Sequence, residues 1–262
     1  VNEAGDLKTL LAGARNFRAV KPYAASDGRT LRANTLYRSG ELSRLSQADL
    51  DIIAGLGIKL ICDLRTDREQ VEFVSRWPEG TGHRHLVLAD RDESDAGPHK
   101  IFELMSRYPG ESGGLQAMDL LYRRKPRAFA KSLGTLFATI LAGDALPLLI
   151  HCHAGKDRTG FVVAMLLAAA GVSEADIIDD YVTTAVFFPV EEEARAVASW
   201  ARKSFGHEIA PESARPLVDA RRAYIEASLE EIHTGWGGVD DYLRAAGLDD
   251  AAKVKLQALL VD

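Results

Sequence analysis

Residues 146 to 171 read LPLLIHCHAGKDRTGFVVAMLLAAAG. A short apolar run and a longer one flank ten residues rich in glycine and charge. Leu146 to Ile150 suits a buried strand, and Thr159 to Ala170, closed by Gly171, suits a helix. A strand that passes through a glycine-containing loop straight into a helix is the building unit of a parallel, helix-covered sheet, so this stretch points to an α/β fold. The same arrangement offers backbone N–H groups and roughly +0.5 of an elementary charge to an anion. Into that turn the chain places Cys152, Lys156, Asp157 and Arg158.

The rest of the chain supplies the partners of such a sheet. Ile58 to Leu64 and His83 to Asp90 read as further strands. Leu45 to Gly57 reads as a helix capped by Ser46, and residues 66 to 75 as a charged helix. The first forty residues are loop-rich, with a short hairpin expected around Asp27 and Gly28. Residues 91 to 115, polar and rich in glycine and proline, read as a loop or insertion. Helices follow over 116 to 142, broken near Pro126, and over 173 to 182, where Ser173 and Asp176 resemble a start signal. Two long amphipathic helices are expected over 190 to 233, and a helix pair joined at Gly247 over 239 to 261. The expectation is one domain over residues 1 to 262, with a central, largely parallel sheet flanked by helices.

A net charge of −6 argues against a general nucleic-acid binder, so any anionic ligand must be held by local charge. Cys62 and Cys152 are too few for a disulfide framework or a zinc site, and a reducing environment is the simpler expectation. No apolar run approaches the roughly 20 residues of a membrane span, and no signal-peptide core is visible. These features suggest a chain without a stable membrane anchor, cytoplasmic or secreted into a reducing compartment. The sequence leaves the oligomeric state open.

Two chemistries for the turn fail on spacing. A nucleotide-binding loop needs glycine, four residues, then Gly-Lys-Ser/Thr; here Gly155-Lys156 is followed by Asp157, and Ile150 holds the earlier position. A metal site at His151-Cys152-His153 would have its side chains on alternating sides of an extended chain, with no further ligand cluster. What remains is Cys-x5-Arg. A thiol at the mouth of an anion hole loses its proton readily. Arg158 can present a planar fork to two phosphoryl oxygens. His153, Ala154, Gly155, Lys156, Asp157 and Arg158 supply the amides around them.

HCHAGKDRTG also matches the HCxxGxxR(S/T)G signature of the cysteine-dependent protein tyrosine phosphatases. Its GKDR variant resembles the bacterial tyrosine/dual-specificity group that a secreted mycobacterial enzyme typifies. Further landmarks run in the same order: ARNFR, LYRSGELSRLS, GIKLICDLRTDRE, TGFVVAMLL, DYV and GGVDDYLRAAGL. One departure is Ala19, where that group commonly has an acid.

The resemblance implies a cofactor-free phosphatase in which Cys152 attacks phosphorus and water then hydrolyses the phosphocysteine. Arg158 would hold the phosphoryl oxygens, and Thr159 could donate to the sulfur as it departs. His151 would buttress the loop. Asp90 is the first candidate for general acid, with Asp92 and Asp95 as neighbours in sequence and Asp157 as the second candidate. Asp63 would fix Arg65. Lys156, as a second cation at the rim, would suit phosphoinositides beside phosphotyrosine proteins; otherwise it only offsets Asp157. Cys62 could form a reversible disulfide with Cys152, or be a small core residue. Residues 186 to 212, with Phe187, Phe188 and Trp200, would form a helical lid or plain core. The competing class is a phosphate-binding module without turnover.

Overall fold

A computed structural model describes residues 10–88, 98–108 and 110–262. Its sheet has five strands: β1 (Arg18–Ala19), β2 (Leu36–Ser39), β3 (Leu60–Asp63), β4 (Arg84–Val87) and β5 (Leu148–His151). They lie in the order β1-β2-β5-β3-β4, with β1 antiparallel to β2 and every other pairing parallel. The register sets Ile150 between Arg38 and Cys62, and His151 between Ser39 and Asp63. Three strands therefore end together, and the chain leaving each meets at one edge of the sheet. That edge is where open α/β sheets place their ligands.

Strand period explains the two faces. Leu36, Leu60, Cys62, Leu148 and Ile150 enter the larger core, while Tyr37, Ile61 and Leu149 enter a smaller one with Leu11, Phe17 and Ile53. The smaller face is covered by α1 (Gln47–Gly55), started by Ser46 through a reciprocal cap with Asp49. The larger face carries α4 (Glu111–Leu141), α5 (Asp157–Ala169), α6 (Glu174–Thr183), α9 (Arg222–Trp236), α10 (Val239–Ala245) and α11 (Asp250–Leu260). Buried side chains surround α5 on nearly every side, from Thr159 to Leu167, so its lack of a polar face follows from its central place. The remaining helices are α2 (Asp67–Glu72), α3 (Pro98–Arg107), α7 (Val190–Phe205) and α8 (Pro211–Val218). None of the described helices is long and apolar enough to cross a membrane.

Several expectations need correction. The supposed hairpin near Asp27 reduces to a single bridge between Ala24 and Thr30, and the end of that stretch is β2, beside β5 in the sheet. Residues 98 to 107 and 111 onward are helical rather than loop, while 91 to 97 lie outside the described residues. Helix α4 is not broken at Pro126. Proline removes the N–H that the Tyr122 carbonyl would have bonded, and the Ser228 hydroxyl replaces it at 2.6 Å. The Tyr242 hydroxyl donates to the Pro126 carbonyl at 2.8 Å. Tertiary donors thus do what the local sequence cannot. The segment 190 to 233 holds three helices rather than two, because Asp219 and Ala220 interrupt it and Asp219 accepts from the following backbone N–H at 2.8 Å.

Candidate active site

The loop from Cys152 to Arg158 leaves β5 and enters α5 at Asp157, two residues before the expected start. Cys152 is 1% exposed and forms the floor. The Gly155 N–H donates to its Sγ at 3.2 Å. Gly155 has φ +70°, and a Cβ there would lie 2.5 Å from the backbone of Ser39 and Gly40. Only glycine fits both the dihedral and the space. The first N–H groups of α5 have no intrahelical acceptors, which leaves them for a ligand at the loop.

Arg158 is held at one end. Its Nη1 donates to Glu69 Oε2 at 2.6 Å and to the Leu64 carbonyl at 3.1 Å, and its Nη2 to Glu69 Oε1 at 2.7 Å. A guanidinium has five N–H donors, and three are occupied among the described residues. The remaining Nε–H and Nη2–H share one edge and point in parallel, the geometry that takes two oxygens of a tetrahedral anion. Glu69 is itself fixed, accepting from the Thr66 N–H at 2.8 Å as the third residue of α2. Burial pushes the Glu69 carboxyl up, but the hydrogen bonds and charge of Arg158 outweigh it and hold it at about 2.

The neighbouring ion pair faces the other way. Lys156 is 1% exposed, and its Nζ donates to Asp157 Oδ1 at 2.7 Å and lies over the Tyr224 ring. Lys156 is therefore turned inward rather than standing at the rim, and it offsets Asp157, the second of the two roles expected for it. The same Oδ1 accepts from the Tyr122 hydroxyl at 2.7 Å, and Tyr122 pairs with the Tyr181 hydroxyl at 2.6 Å. Burial raises the Asp157 carboxyl, yet Lys156 and Lys125 bring it below the ordinary range.

Beneath the loop, Arg65 grips Asp63 with contacts of 2.7 to 3.1 Å, as the sequence suggested. His151 is buried with Nε2 3.7 Å from Asp63, and burial drives its pKa down to about 4, so the ring is neutral. Thr159 is fully buried and its hydroxyl has no partner among the described residues. Ala154 is partly buried, and the exposed His153 ring packs on Phe73 at 4.6 Å between centroids. Asp90, Asp92 and Asp95 lie outside the described residues.

The comparisons with known proteins fit this geometry. The model of the tyrosine phosphatase family matches residues 9–262. The chain belongs to the tyrosine phosphatase family. A relative named triple specificity protein phosphatase PtpB, from Mycobacterium tuberculosis, is 34% identical over 96% of this chain and 98% of its own length. A tyrosine-protein phosphatase of Nostoc commune is 28% identical over 87% of this chain and 74% of its own.

Within this phosphatase, Cys62 lies on β3 beside Ile150 of β5 and contributes to the larger core with Cys152, which follows the end of β5 two residues beyond Ile150. Both are free thiols, and burial, then Asp63, push the Cys62 thiol up. Trp200 on α7 is 43% exposed, and it packs with Phe102 and Phe205 in a small cluster apart from the main cores. Phe187 ends a 3-10 turn and Phe188 follows in extended backbone, so the three aromatics do not share one helix.

Glu69 is the site residue that sequence reasoning missed. Its signal was legible as Thr66-x-x-Glu69, a capping box opening a helix right after the Asp-Leu-Arg strand end. Nothing in that pattern announces that the carboxylate also serves an arginine 89 positions away. Glu69→Ala is expected to cost about 10- to 100-fold in kcat/KM by loosening the guanidinium, on the scale of other misplaced site groups. Assays with an aryl phosphate check this, with circular dichroism to confirm folding; unchanged kinetics would remove Glu69 from the site.

Proposed function

We propose that this phosphatase hydrolyses phosphotyrosine through a phosphocysteine intermediate. The observation that carries the reading is the two-donor edge of Arg158, unpaired among the described residues, beside the buried Cys152 sulfur. The thiolate attacks phosphorus as the P–O bond to the leaving group breaks. The amides of His153 to Arg158 and the Arg158 fork hold the three remaining oxygens as charge redistributes. Asp90 gives its proton to the leaving oxygen. Its carboxylate then takes a proton from the water that attacks phosphorus, and the sulfur departs as thiolate. Thr159, buried and without an acceptor, is the group available to donate to that sulfur.

Asp157 suits the acid role less well. A general acid must carry a proton, and Lys156 and Tyr122 favour its ionised form. With Lys156 turned inward, phosphoinositides lose the feature that favoured them. The mycobacterial relative is named a triple specificity protein phosphatase, which favours a range wider than phosphotyrosine; phosphothreonine, phosphoserine and phosphoinositides are the secondary reading for this chain. We assign Cys62 as a redox partner of Cys152 only under peroxide, to be read by peptide mapping of the resulting disulfide.

Two measurements test the proposal. Hydrolysis of an aryl phosphate should persist in chelator, and rapid quenching should trap phosphate on Cys152; phosphate release without that adduct overturns the mechanism. Asp90→Asn should lower kcat/KM for an alkyl phosphate by about 10²- to 10⁴-fold, and for p-nitrophenyl phosphate by much less. Equal losses on both would move the acid elsewhere. A module that binds phosphate without turnover would fail the first assay outright.

A further inference from the structure

A loop that turns its N–H groups inward must turn its carbonyls outward, into protein, where each needs a donor. The Gly155 carbonyl has two. Asn16 Nδ2 donates to it at 2.7 Å and Arg38 Nη2 at 3.1 Å. Asn16 and Arg38 are both fully buried. They come from separate segments, the turn before β1 and strand β2, and both are backed by α6 and the residue after it. Arg38 Nη1 donates to Asp180, and its Nη2 also reaches the Thr184 hydroxyl at 3.2 Å. Arg18 donates to the Asn16 side-chain oxygen and, at 3.1 Å, to the Asp180 carbonyl.

We propose that Asn16 and Arg38 are positioning residues for the phosphate-binding loop: by holding the Gly155 carbonyl outward they turn the Lys156 N–H into the anion cup. The peptide is planar and trans, so its N–H points opposite its C=O. Rotating that plane would swing a carbonyl toward the anion and strand two buried donors without a partner. A cationic donor on the oxygen also polarises the peptide and strengthens the N–H at its far side. Anion affinity and the reactivity of the sulfur are then set from behind the loop, by residues that touch neither. The inference rests on Cys152 and its loop being the phosphate site.

Asn16 allows a near-isosteric test. Asn16→Asp keeps the oxygen that Arg18 needs and tolerates the positive φ of +59°, but sets a second acceptor against the Gly155 carbonyl. Asn16→Gly accepts the same φ and removes both the donor to Gly155 and the acceptor for Arg18, and it decides the matter if the aspartate variant does not fold. The readouts are competitive inhibition by inorganic phosphate, alkylation of Cys152 by iodoacetamide at fixed pH, kcat, KM and Tm. The expected result is roughly 10-fold weaker phosphate inhibition with slower alkylation, on the scale of one hydrogen bond made with a charged partner. A lower Tm with phosphate inhibition and alkylation rate within about twofold of the parent, less than one such bond is worth, would make the pair a purely structural anchor and overturn the proposal. Phosphate binding by calorimetry in a Cys152→Ser background separates the two readings. Turnover surviving Cys152→Ser sinks the nucleophile assignment, whereas unchanged phosphate affinity on adding Asn16→Asp sinks the positioning role alone.

Discussion

Cys152→Ser is expected to lower kcat for aryl phosphates by about 10⁴-fold or more, the scale seen when a covalent nucleophile is removed, while inorganic phosphate still binds. Serine is nearly the shape of cysteine, so the loop should keep its backbone, its amides and the Arg158 fork. What disappears is the nucleophile itself: a hydroxyl with no base beside it attacks phosphorus far more weakly than sulfur does. The Gly155 N–H that now donates to Sγ at 3.2 Å can donate equally to a hydroxyl oxygen. Steady-state kinetics and phosphate calorimetry on the same preparation give both halves of the result. Turnover near that of the parent would mean that the sulfur is not the attacking atom.

Gly155→Ala should be the most damaging small substitution in the loop, costing about 2–5 kcal/mol through backbone strain and overpacking together. Its φ is +70°, and the added Cβ would lie 2.5 Å from backbone atoms of Ser39 and Gly40, which cannot yield as a flexible side chain would. Gly28 is the control. Its φ of +85° is similar, but nothing lies within 4 Å, so Gly28→Ala should cost only about 1 kcal/mol from strain. Urea unfolding of both variants distinguishes space from dihedral. Equal losses would mean that the close approach of β2 to the loop contributes nothing.

The strand–loop–helix unit was legible because everything it needs is local: a β-rich apolar run, a glycine at a positive φ and an apolar helix behind it. Asp63 and Arg65, two residues apart, were legible for the same reason. Strand β2 was not, because four residues carry little period and its identity comes from lying beside β5, more than a hundred positions later in the chain. Pro126 misled because its cost is local and its compensation, from Ser228 and Tyr242, is not. Lys156 illustrates the limit within the motif. Composition places a cation in the loop, but only packing against Tyr224 and Asp157 turns it inward. Glu69 and Asn16 were hidden likewise, their partners lying 89 and 139 positions away.

The two carboxylates beside the loop have a thermodynamic consequence. Each of its cations already has a counter-charge of its own, Arg158 in Glu69 and Lys156 in Asp157. The charges of each pair therefore offset one another within the fold, so neither cation depends on a ligand for its partner. What the loop offers an incoming dianion is oriented backbone dipoles and a guanidinium fork more than net side-chain charge. Occupancy adds stability only by mass action, and discrimination among anions falls to shape.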